Sequence, residues 1–196
     1  MLPPKPPPKV DSVLLARAQR GDRDAHSELY ALFGSVVFTL ARRMLASRAA
    51  AEDVLQDTFI EVFRKIGTYR GEADLGFWVK RIAINKCLMY LRSGWMSRRC
   101  VDGEDILSEA PARSAAVDEQ IALERALDAL PHMARAVVWL HDVEGHTHKE
   151  IGAMLGYTAS FSKSQLARAH ERLRVLLESG EEESESDLCA PVLKTC

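Results

Sequence analysis

The side chains best suited to bind nucleic acid are aromatic, basic and amide groups in residues 77–92. On a helix, four of them share one narrow stripe: Trp78, Arg81, Asn85 and Arg92. An aromatic ring can stack on an unpaired base, an amide can hydrogen-bond its edge, and a guanidinium can neutralise phosphate. The loop before this helix, residues 68–74, could wrap around a base extruded from a duplex. The stripe therefore predicts contact with a single strand, and the alternative is that Phe77 or Trp78 is a core residue.

A second basic segment has the pattern of a helix-turn-helix. Ile151 and Leu155 are four residues apart and so point inward from one helix, and Gly156 supplies the turn. The next helix carries short polar side chains together with the basic Lys163 and Arg168, and such side chains can enter a major groove. The segment therefore predicts binding to duplex DNA. The alternative is an ordinary helical hairpin with a solvated face.

A third segment, residues 51–63, predicts a protein partner. Four residues form its predicted buried stripe: Leu55, Phe59, Val62 and Ile66. The other side of the helix is acidic and amide-bearing, with one apolar side chain: Asp53, Gln56, Asp57, Ile60 and Glu61. Such a face suits a protein better than nucleic acid. Alone, it could equally be a solvated surface.

Metal chemistry is the rival interpretation, because three histidines lie close together at His141, His146 and His148. The separation of His146 and His148 by one residue is poor for two ligands on one helix face, and there is no HExxH. The sequence predicts no catalytic site, no cofactor and no catalytic metal. Regulatory metal binding stays open at this point.

Composition predicts a soluble cytoplasmic protein. The chain has 196 residues, a net charge of −2 and 47% hydrophobic residues, and its apolar runs are too short to span a bilayer. The N-terminus has prolines where a signal peptide has its apolar core. In a reducing compartment four widely spaced cysteines are expected to be free thiols: Cys87, Cys100, Cys189 and Cys196.

The predicted fold class is all-α, with two small helical domains joined by a flexible linker, because helical periodicity runs almost throughout. The predicted divisions are a Pro-rich arm at 1–10, a first block at 11–93, a linker at 94–116, a second block at 117–178 and a disordered acidic tail at 179–196. The main predicted helices span approximately 25–45, 50–66, 77–91, 117–129, 132–142, 147–155 and 161–178.

Taken in order, these motifs resemble the extracytoplasmic-function sigma factors of the sigma-70 family. The resemblance covers roughly residues 11–178 and rests on AEDVLQDTF at 51–59, YRGE at 69–72, FWVKRIAIN at 77–85 and GHTHKEIGAMLG at 145–156. It implies a sigma region 2 in the first block and a sigma region 4 in the second. It also implies that the chain directs core RNA polymerase to promoters and that an anti-sigma factor is one of its partners. The alternative is a helix-turn-helix regulator that acts without polymerase.

The resemblance also implies roles for individual residues. Core polymerase would bind Asp53, Gln56, Asp57, Ile60 and Glu61. The −10 element would be read by Tyr69, Arg70, Trp78, Lys80, Arg81, Asn85 and Lys86. The −35 element would be read by the helix-turn-helix at 148–167, through Lys149, Ser160, Ser162, Lys163, Gln165 and Arg168.

Some positions depart from the family pattern. Phe161 stands where a capping hydroxyl is common, although Ser160 could supply one. Ser162 replaces an apolar core residue, and Gln165 replaces an arginine, which favours adenine over guanine if the side chain reaches a base. We also expect that in the free chain the two blocks could pack against each other or against a partner and so hide DNA-binding surface.

Overall fold

The computed structural model describes the backbone of residues 8–99 and 119–187, and these ranges contain eight α-helices and no β-strand. The all-α prediction is confirmed. The helices are α1 Ser12–Gln19, α2 Arg23–Leu45, α3 Arg48–Lys65, α4 Leu75–Arg99, α5 Glu119–Asp128, α6 His132–Val138, α7 His148–Leu155 and α8 Ala159–Asp187.

Local side-chain contacts fix where the first helices begin and end. The Asp11 carboxylate accepts a hydrogen bond from the Val13 N–H at 2.6 Å, and Asp22 caps α2 in the same way. A carboxylate at this position satisfies N–H groups that have no partner within the helix. Asp22 also pairs with Arg17, whose hydrogen bond lowers the pKa of this carboxyl group. The cap of α2 therefore also ties α1 to α2.

The first block packs α2, α3 and α4 around large apolar side chains of α2. Leu29, Phe33 and Val37 are each at most 1% exposed. Complete burial of one such side chain contributes about 1.5–3 kcal/mol. On α3, Phe59, Val62 and the following Ile66 are buried as predicted, whereas Leu55 is only half-buried and Val54 occupies the core instead. The buried stripe of α3 is thus rotated slightly about the helix axis relative to the predicted buried stripe.

The second block contains a buried arginine that the sequence analysis did not single out. Arg135 is 1% exposed and donates hydrogen bonds of 2.7 Å to the carbonyl oxygens of Leu127, Asp128 and Leu130. The first two carbonyls lie in the last turn of α5, where a helix leaves carbonyl groups without backbone donors, and the third follows this helix. Burial lowers the pKa of Arg135 to about 10, so the side chain stays cationic at neutral pH. Arg135 therefore fixes the corner between α5 and α6.

A single wide helical turn, Trp139–Val143, follows α6. The Glu144 N–H donates to the Trp139 carbonyl at 3.1 Å, which is the i→i+5 bond of a π-turn. The His146 N–H then donates to the Leu140 carbonyl at 2.9 Å and closes the turn. This turn precedes the helix-turn-helix and sets the direction in which Glu144 points.

The two blocks pack against each other. Their buried apolar residues form one continuous cluster, and α2 lies against α6 while α4 lies against α7. Lys80 of α4 forms an ion pair with Glu144 at 2.8 Å, and Arg42 of α2 forms one with Asp128 at 3.0 Å. The two predicted domains are therefore in direct contact.

Two helices continue past the boundaries that the sequence predicts. Helix α4 continues to Arg99, six residues into the segment predicted as a linker, and α8 continues to Asp187, into the tail predicted as disordered. Glutamate favours helix and no proline interrupts the chain before Pro191, so the acidic run extends α8. Residues 1–7, 100–118 and 188–196, which include most of the arm, most of the linker and three cysteines, lie outside the described residues. The remaining thiol, Cys87, is free and buried, and burial raises its pKa to about 12.

We expect Gly152→Ala to lower the free energy of unfolding by about 1–3 kcal/mol, because overpacking against rigid backbone forces helices apart. A Cβ at Gly152 would lie 2.9 Å from the Tyr157 carbonyl oxygen and from the Thr158 carbonyl carbon. Urea denaturation followed by circular dichroism measures the loss. Gly67→Ala is the matched control, since its Cβ would meet only the backbone carbonyl oxygen of Gln19, at 3.9 Å. Equal losses in the two variants would contradict this account of the helix-turn-helix.

Candidate nucleic-acid interface

The exposed face of α3 carries the side chains predicted to bind a protein. Asp53, Gln56, Asp57 and Ile60 are exposed, and Ile60 retains 65% of its accessible surface. Glu61 differs from them, because its side chain is only 16% exposed and contacts Arg64 and Lys65 at 2.7 Å. Hydrogen bonds from Arg64 and then Lys65 lower the pKa of Glu61 to about 2. The face is thus acidic around one exposed isoleucine.

The predicted stripe on α4 lies at the surface beside α3. Arg81, Asn85 and Arg92 are exposed, while Trp78 is half-buried and packs against the core with one side. The helix starts where the Asp74 carboxylate accepts a hydrogen bond from the Gly76 N–H at 2.8 Å. Half-buried Lys86 lies 3.9 Å from Asp57, so α3 and α4 present their polar faces side by side.

The loop before α4 forms the rim of a pocket of about 390 Å³. The Tyr69 ring lies 5.3 Å from the Trp78 ring between centroids, and the Tyr69 hydroxyl donates to the Ala73 carbonyl. Gly71 has φ of 75°, a conformation that favours glycine. Arg70 is exposed at the same loop. The pocket is lined by Val10, Leu15, Tyr69, Gly71, Glu72, Ala73, Asp74 and Leu75.

Gln19, at the end of α1, positions this loop and was missed by the sequence analysis. Its side-chain amide donates to the Ile66 carbonyl at 3.3 Å and to the Tyr69 carbonyl at 3.0 Å. The two carbonyls lie at the ends of the short 3-10 turn Ile66–Thr68, which has few internal hydrogen bonds. No local pattern reveals this contact, because donor and acceptors are about fifty residues apart in the chain.

Lys80 is the predicted −10 residue that the structure places elsewhere. Its side chain is 10% exposed, and its ammonium donates to both carboxylate oxygens of Glu144, at 3.0 and 2.8 Å. In this conformation Glu144, from the second block, pairs with the charge of Lys80. Contact of Lys80 with DNA would require this ion pair to open, and its role at the −10 element stays a prediction.

The helix-turn-helix prediction agrees with the geometry of α7 and α8. Thr147 and Glu150 form a reciprocal capping box at the start of α7, and Gly156 ends this helix with φ of 77°. The Phe161 N–H donates to the Thr158 hydroxyl at 3.1 Å, so Thr158 caps α8. The suggested cap at Ser160 is therefore wrong, and α8 begins two residues earlier than predicted.

The predicted −35 residues fall into two groups. Lys149, Ser160, Lys163 and Arg168 are exposed, and Gln165 is half-buried. Ser162 has no exposed surface, and its hydroxyl lies 3.1 Å from the His148 Nδ1. Ser162 is therefore removed from the candidate DNA contacts, since it faces α7 in the position of a core residue and joins the two helices through a hydrogen bond.

Three histidines of the second block, His141, His148 and His170, lie close together beside Asp142. His141 Nδ1 and His170 Nε2 each lie 2.7 Å from a carboxylate oxygen of Asp142, and the His141 ring stacks on the His148 ring at 4.5 Å. The pKa of His148 is lowered by desolvation, then by the charges of His141 and Lys163. Within the described ranges, no group of three or more His, Cys, Asp and Glu side chains has the arrangement to hold a metal ion.

Comparison with known proteins assigns both blocks to one family. The family model "Sigma-70 region 2" matches residues 29–96, and "Sigma-70, region 4" matches residues 120–173. The chain is 35% identical over 169 residues to the ECF RNA polymerase sigma factor SigM of Mycobacterium tuberculosis, covering 86% of this chain and 85% of that protein. It is 32% identical over 177 residues to the ECF sigma factor SigE of Mycolicibacterium smegmatis, covering 87% of this chain and 68% of that protein.

A solved structure shares the fold. It is the sigma factor RpoE of Bartonella quintana in complex with the anti-sigma factor NepR, with a TM-score of 0.51, 23% identity, and coverage of 78% of this chain and 96% of that one. The described helices include none long and apolar enough to cross a membrane.

The chain thus belongs to the sigma-70 family, in its extracytoplasmic-function group, and acts as a promoter-directing factor of transcription initiation. The alternative of a regulator that needs no polymerase is not favoured, because the match to SigM spans both blocks.

We expect Gln19→Leu to increase the rate of amide hydrogen exchange across residues 67–75 by about fivefold. This factor corresponds to the loss of roughly 1 kcal/mol of hydrogen-bond free energy. Exchange followed by mass spectrometry at peptide resolution measures it. Gln56→Leu makes the same change at an exposed position of α3 and should leave the loop unaffected. Unchanged exchange in Gln19→Leu would show that the amide does not hold the loop.

Proposed function

We propose that the exposed face of α3 binds core RNA polymerase. Asp53, Gln56 and Asp57 surround Ile60, so the surface offers acidic groups around an apolar centre. Protein interfaces commonly have an apolar centre with a polar rim. The partly buried, ion-paired Glu61 would hold Arg64 and Lys65 in place at the edge of this face.

We propose that α4 and the loop before it read the −10 element as a single strand. Two observations support this proposal: Arg81 and Asn85 are exposed on α4, and the Tyr69 ring, which borders the pocket, packs against Trp78 of the same helix. The pocket could receive a base removed from the stack, while the stripe contacts phosphates and base edges. Arg70 and Lys86 add positive charge on either side.

We propose that the helix-turn-helix reads the −35 element in duplex DNA. The exposed Lys149, Lys163 and Arg168 would contact phosphates, and Gln165 would be placed to read a base. In this role the chain supplies recognition and the polymerase makes the phosphodiester bonds, so the protein would be no enzyme itself and would act in the cytoplasm with the polymerase.

An anti-sigma factor is a proposed further partner. The structural neighbour from Bartonella quintana was solved with its anti-sigma factor NepR bound, and its fold is shared by this chain. By analogy, a regulator of this kind would cover polymerase- or DNA-binding surface on one or both blocks.

Run-off transcription with core polymerase tests the division of roles between α3 and α4. We expect Asp57→Arg to weaken association with core polymerase by roughly 2 kcal/mol or more, because it reverses a charge in the acidic surface around Ile60. Asn85→Ala should retain association and lose open-complex formation, which permanganate footprinting of unpaired thymines detects.

The matched control is Glu178→Arg, which makes an equivalent charge change on the exposed surface of α8. It should associate and initiate like the wild-type chain. A wild-type chain that never associates with core polymerase, or an Asp57→Arg chain that associates as well as wild type, would contradict the proposed role of α3.

The −35 proposal predicts an altered specificity for Gln165→Arg. Glutamine pairs with adenine through two hydrogen bonds, whereas arginine pairs in the same way with guanine. Selection from promoters with a randomised −35 element should show one position that changes from adenine to guanine, with about 1–3 kcal/mol of discrimination. Lys163→Ala should instead weaken all sequences about equally. An unchanged selected sequence would remove Gln165 from the readout.

A further inference from the structure

Two aromatic rings lie where the turn of the helix-turn-helix enters α8. The Tyr157 ring stacks on the Phe161 ring, with 4.2 Å between the ring centroids and 19° between the ring planes. Phe161 is half-buried and packs against the core with part of its surface, while Tyr157 is exposed. The capping of α8 depends only on the backbone N–H of Phe161, which donates to Thr158. The two rings are therefore free to serve another purpose.

The buried side of α8 fixes the rotation of this helix about its axis. Ser162, Leu166 and Ala169 are buried, and the Ser162 hydroxyl lies 3.1 Å from the His148 Nδ1 on α7. Rotation of α8 would expose the two apolar side chains and break the hydrogen bond to α7. The side chains on the other faces of α8 are thus held in definite directions before any DNA is bound.

Phe161 shares a helix face with two residues proposed to contact DNA. Gln165 and Arg168 follow it by four and seven residues, and such spacings place side chains on one face of a helix. Helix α8 begins at Ala159, two residues before Phe161. Recognition helices contact base edges with the residues near their N-terminus. Phe161 therefore lies in the turn of α8 that is best placed to reach a base.

A phenyl ring has one specific target in the major groove, which is the C5-methyl group of thymine. The other base edges in this groove offer hydrogen-bond donors and acceptors, which a hydrocarbon ring would leave unsatisfied, whereas the methyl group is apolar. The stack on Tyr157 restricts the motion of the Phe161 ring in the free chain. A side chain that is ordered before binding loses less entropy when it makes its contact.

We propose that Phe161 is a specificity-determining residue that selects thymine in the −35 element through its C5-methyl group, and that Tyr157 positions the Phe161 ring. Four residues of α-helix rise about 6 Å, and stacked base pairs are about 3.4 Å apart. The selected thymine should therefore lie within about two base pairs of the base that Gln165 reads. This inference rests on the proposed function of the helix-turn-helix as the reader of the −35 element.

Deoxyuridine scanning tests the proposal, because deoxyuridine differs from thymidine only in lacking the C5-methyl group. The probes are promoter duplexes with a −35 element selected by the wild-type holoenzyme, in which each −35 thymine on either strand is replaced in turn. Competition for holoenzyme, reconstituted from the full-length chain and core polymerase, gives the ratio of the affinities for the thymine and deoxyuridine duplexes. For wild type we expect a ratio of about four at one position, the factor for one buried methyl group, and no effect elsewhere.

Three variants assign the methyl contact to the aromatic pair. Phe161→Ala should abolish the difference between the two duplexes, because the ring that meets the methyl group is absent. Tyr157→Ala should reduce the difference in part, whereas Tyr157→Phe should keep it, because a stacked ring remains. A purely structural role of the pair predicts another result for Phe161→Ala, in which both duplexes bind more weakly and their ratio is unchanged.

Lys163→Ala is the matched control, since it removes a proposed phosphate contact from the same helix. It should weaken binding of the thymine and deoxyuridine duplexes equally and so keep the wild-type ratio. A loss of the ratio in Lys163→Ala would show that any weakening of DNA binding conceals the methyl effect, and the assignment to Phe161 would be overturned.

The wild-type series alone can overturn the inference, whatever the stability of the variants. If no −35 thymine is sensitive to removal of its methyl group, Phe161 selects no thymine. A ratio that persists in Phe161→Ala assigns the methyl group to another side chain, and a full ratio in Tyr157→Ala overturns the positioning role. Failure of the proposed function is recognised separately, because the wild-type holoenzyme would then bind the intact promoter no better than a duplex with a scrambled −35 element.

Discussion

The packing of α2 is the constraint on which both blocks depend. One face of this helix buries Leu29, Phe33, Val37 and Leu40 among α3 and α4, while its C-terminal turn carries Arg42 and Arg43 to the second block. The apolar face must be covered because water-exposed groups of this size would cost several kcal/mol in total. Once the face is covered, the rotation of α2 about its axis is fixed. The positions of the two arginines, and hence of the contact with α5, follow from that rotation.

The same packing decides what α3 and α4 present to solvent. Burial of Val54, Phe59 and Val62 turns Asp53, Asp57 and Ile60 outward, and burial of Val79, Ala83 and Cys87 does the same for Arg81 and Asn85 on α4. The two outward faces are neighbours, as the approach of Lys86 to Asp57 shows. A surface for protein and a surface for nucleic acid therefore adjoin on a shared core.

Much of this could be predicted from sequence because it depends on local periodicity. Helical spacing identified α2, α3, α4 and the pair α7–α8, and the glycine at 156 marked the turn between the last two. The features that sequence did not reveal depend on partners far along the chain. Lys80 is buried by a residue 64 positions away, and Gln19 binds a carbonyl 50 positions away. Ser162 was predicted as a DNA contact, although it replaces an apolar core residue of the family. The structure buries Ser162, as expected for a core position.

The π-turn at Trp139–Val143 has a consequence for how this chain tolerates insertions and deletions. The turn holds one more residue than an α-helical turn would, and each residue of an α-helix rotates the chain by roughly 100° about the axis. Deletion of a single residue there would convert the wide turn into an α-turn, which makes the same full rotation with one residue fewer. The chain beyond the turn would therefore keep roughly its direction, and the helix-turn-helix would stay near the first block. The wide turn is thus a place where the chain can lose one residue with little change in the relative placement of the two blocks.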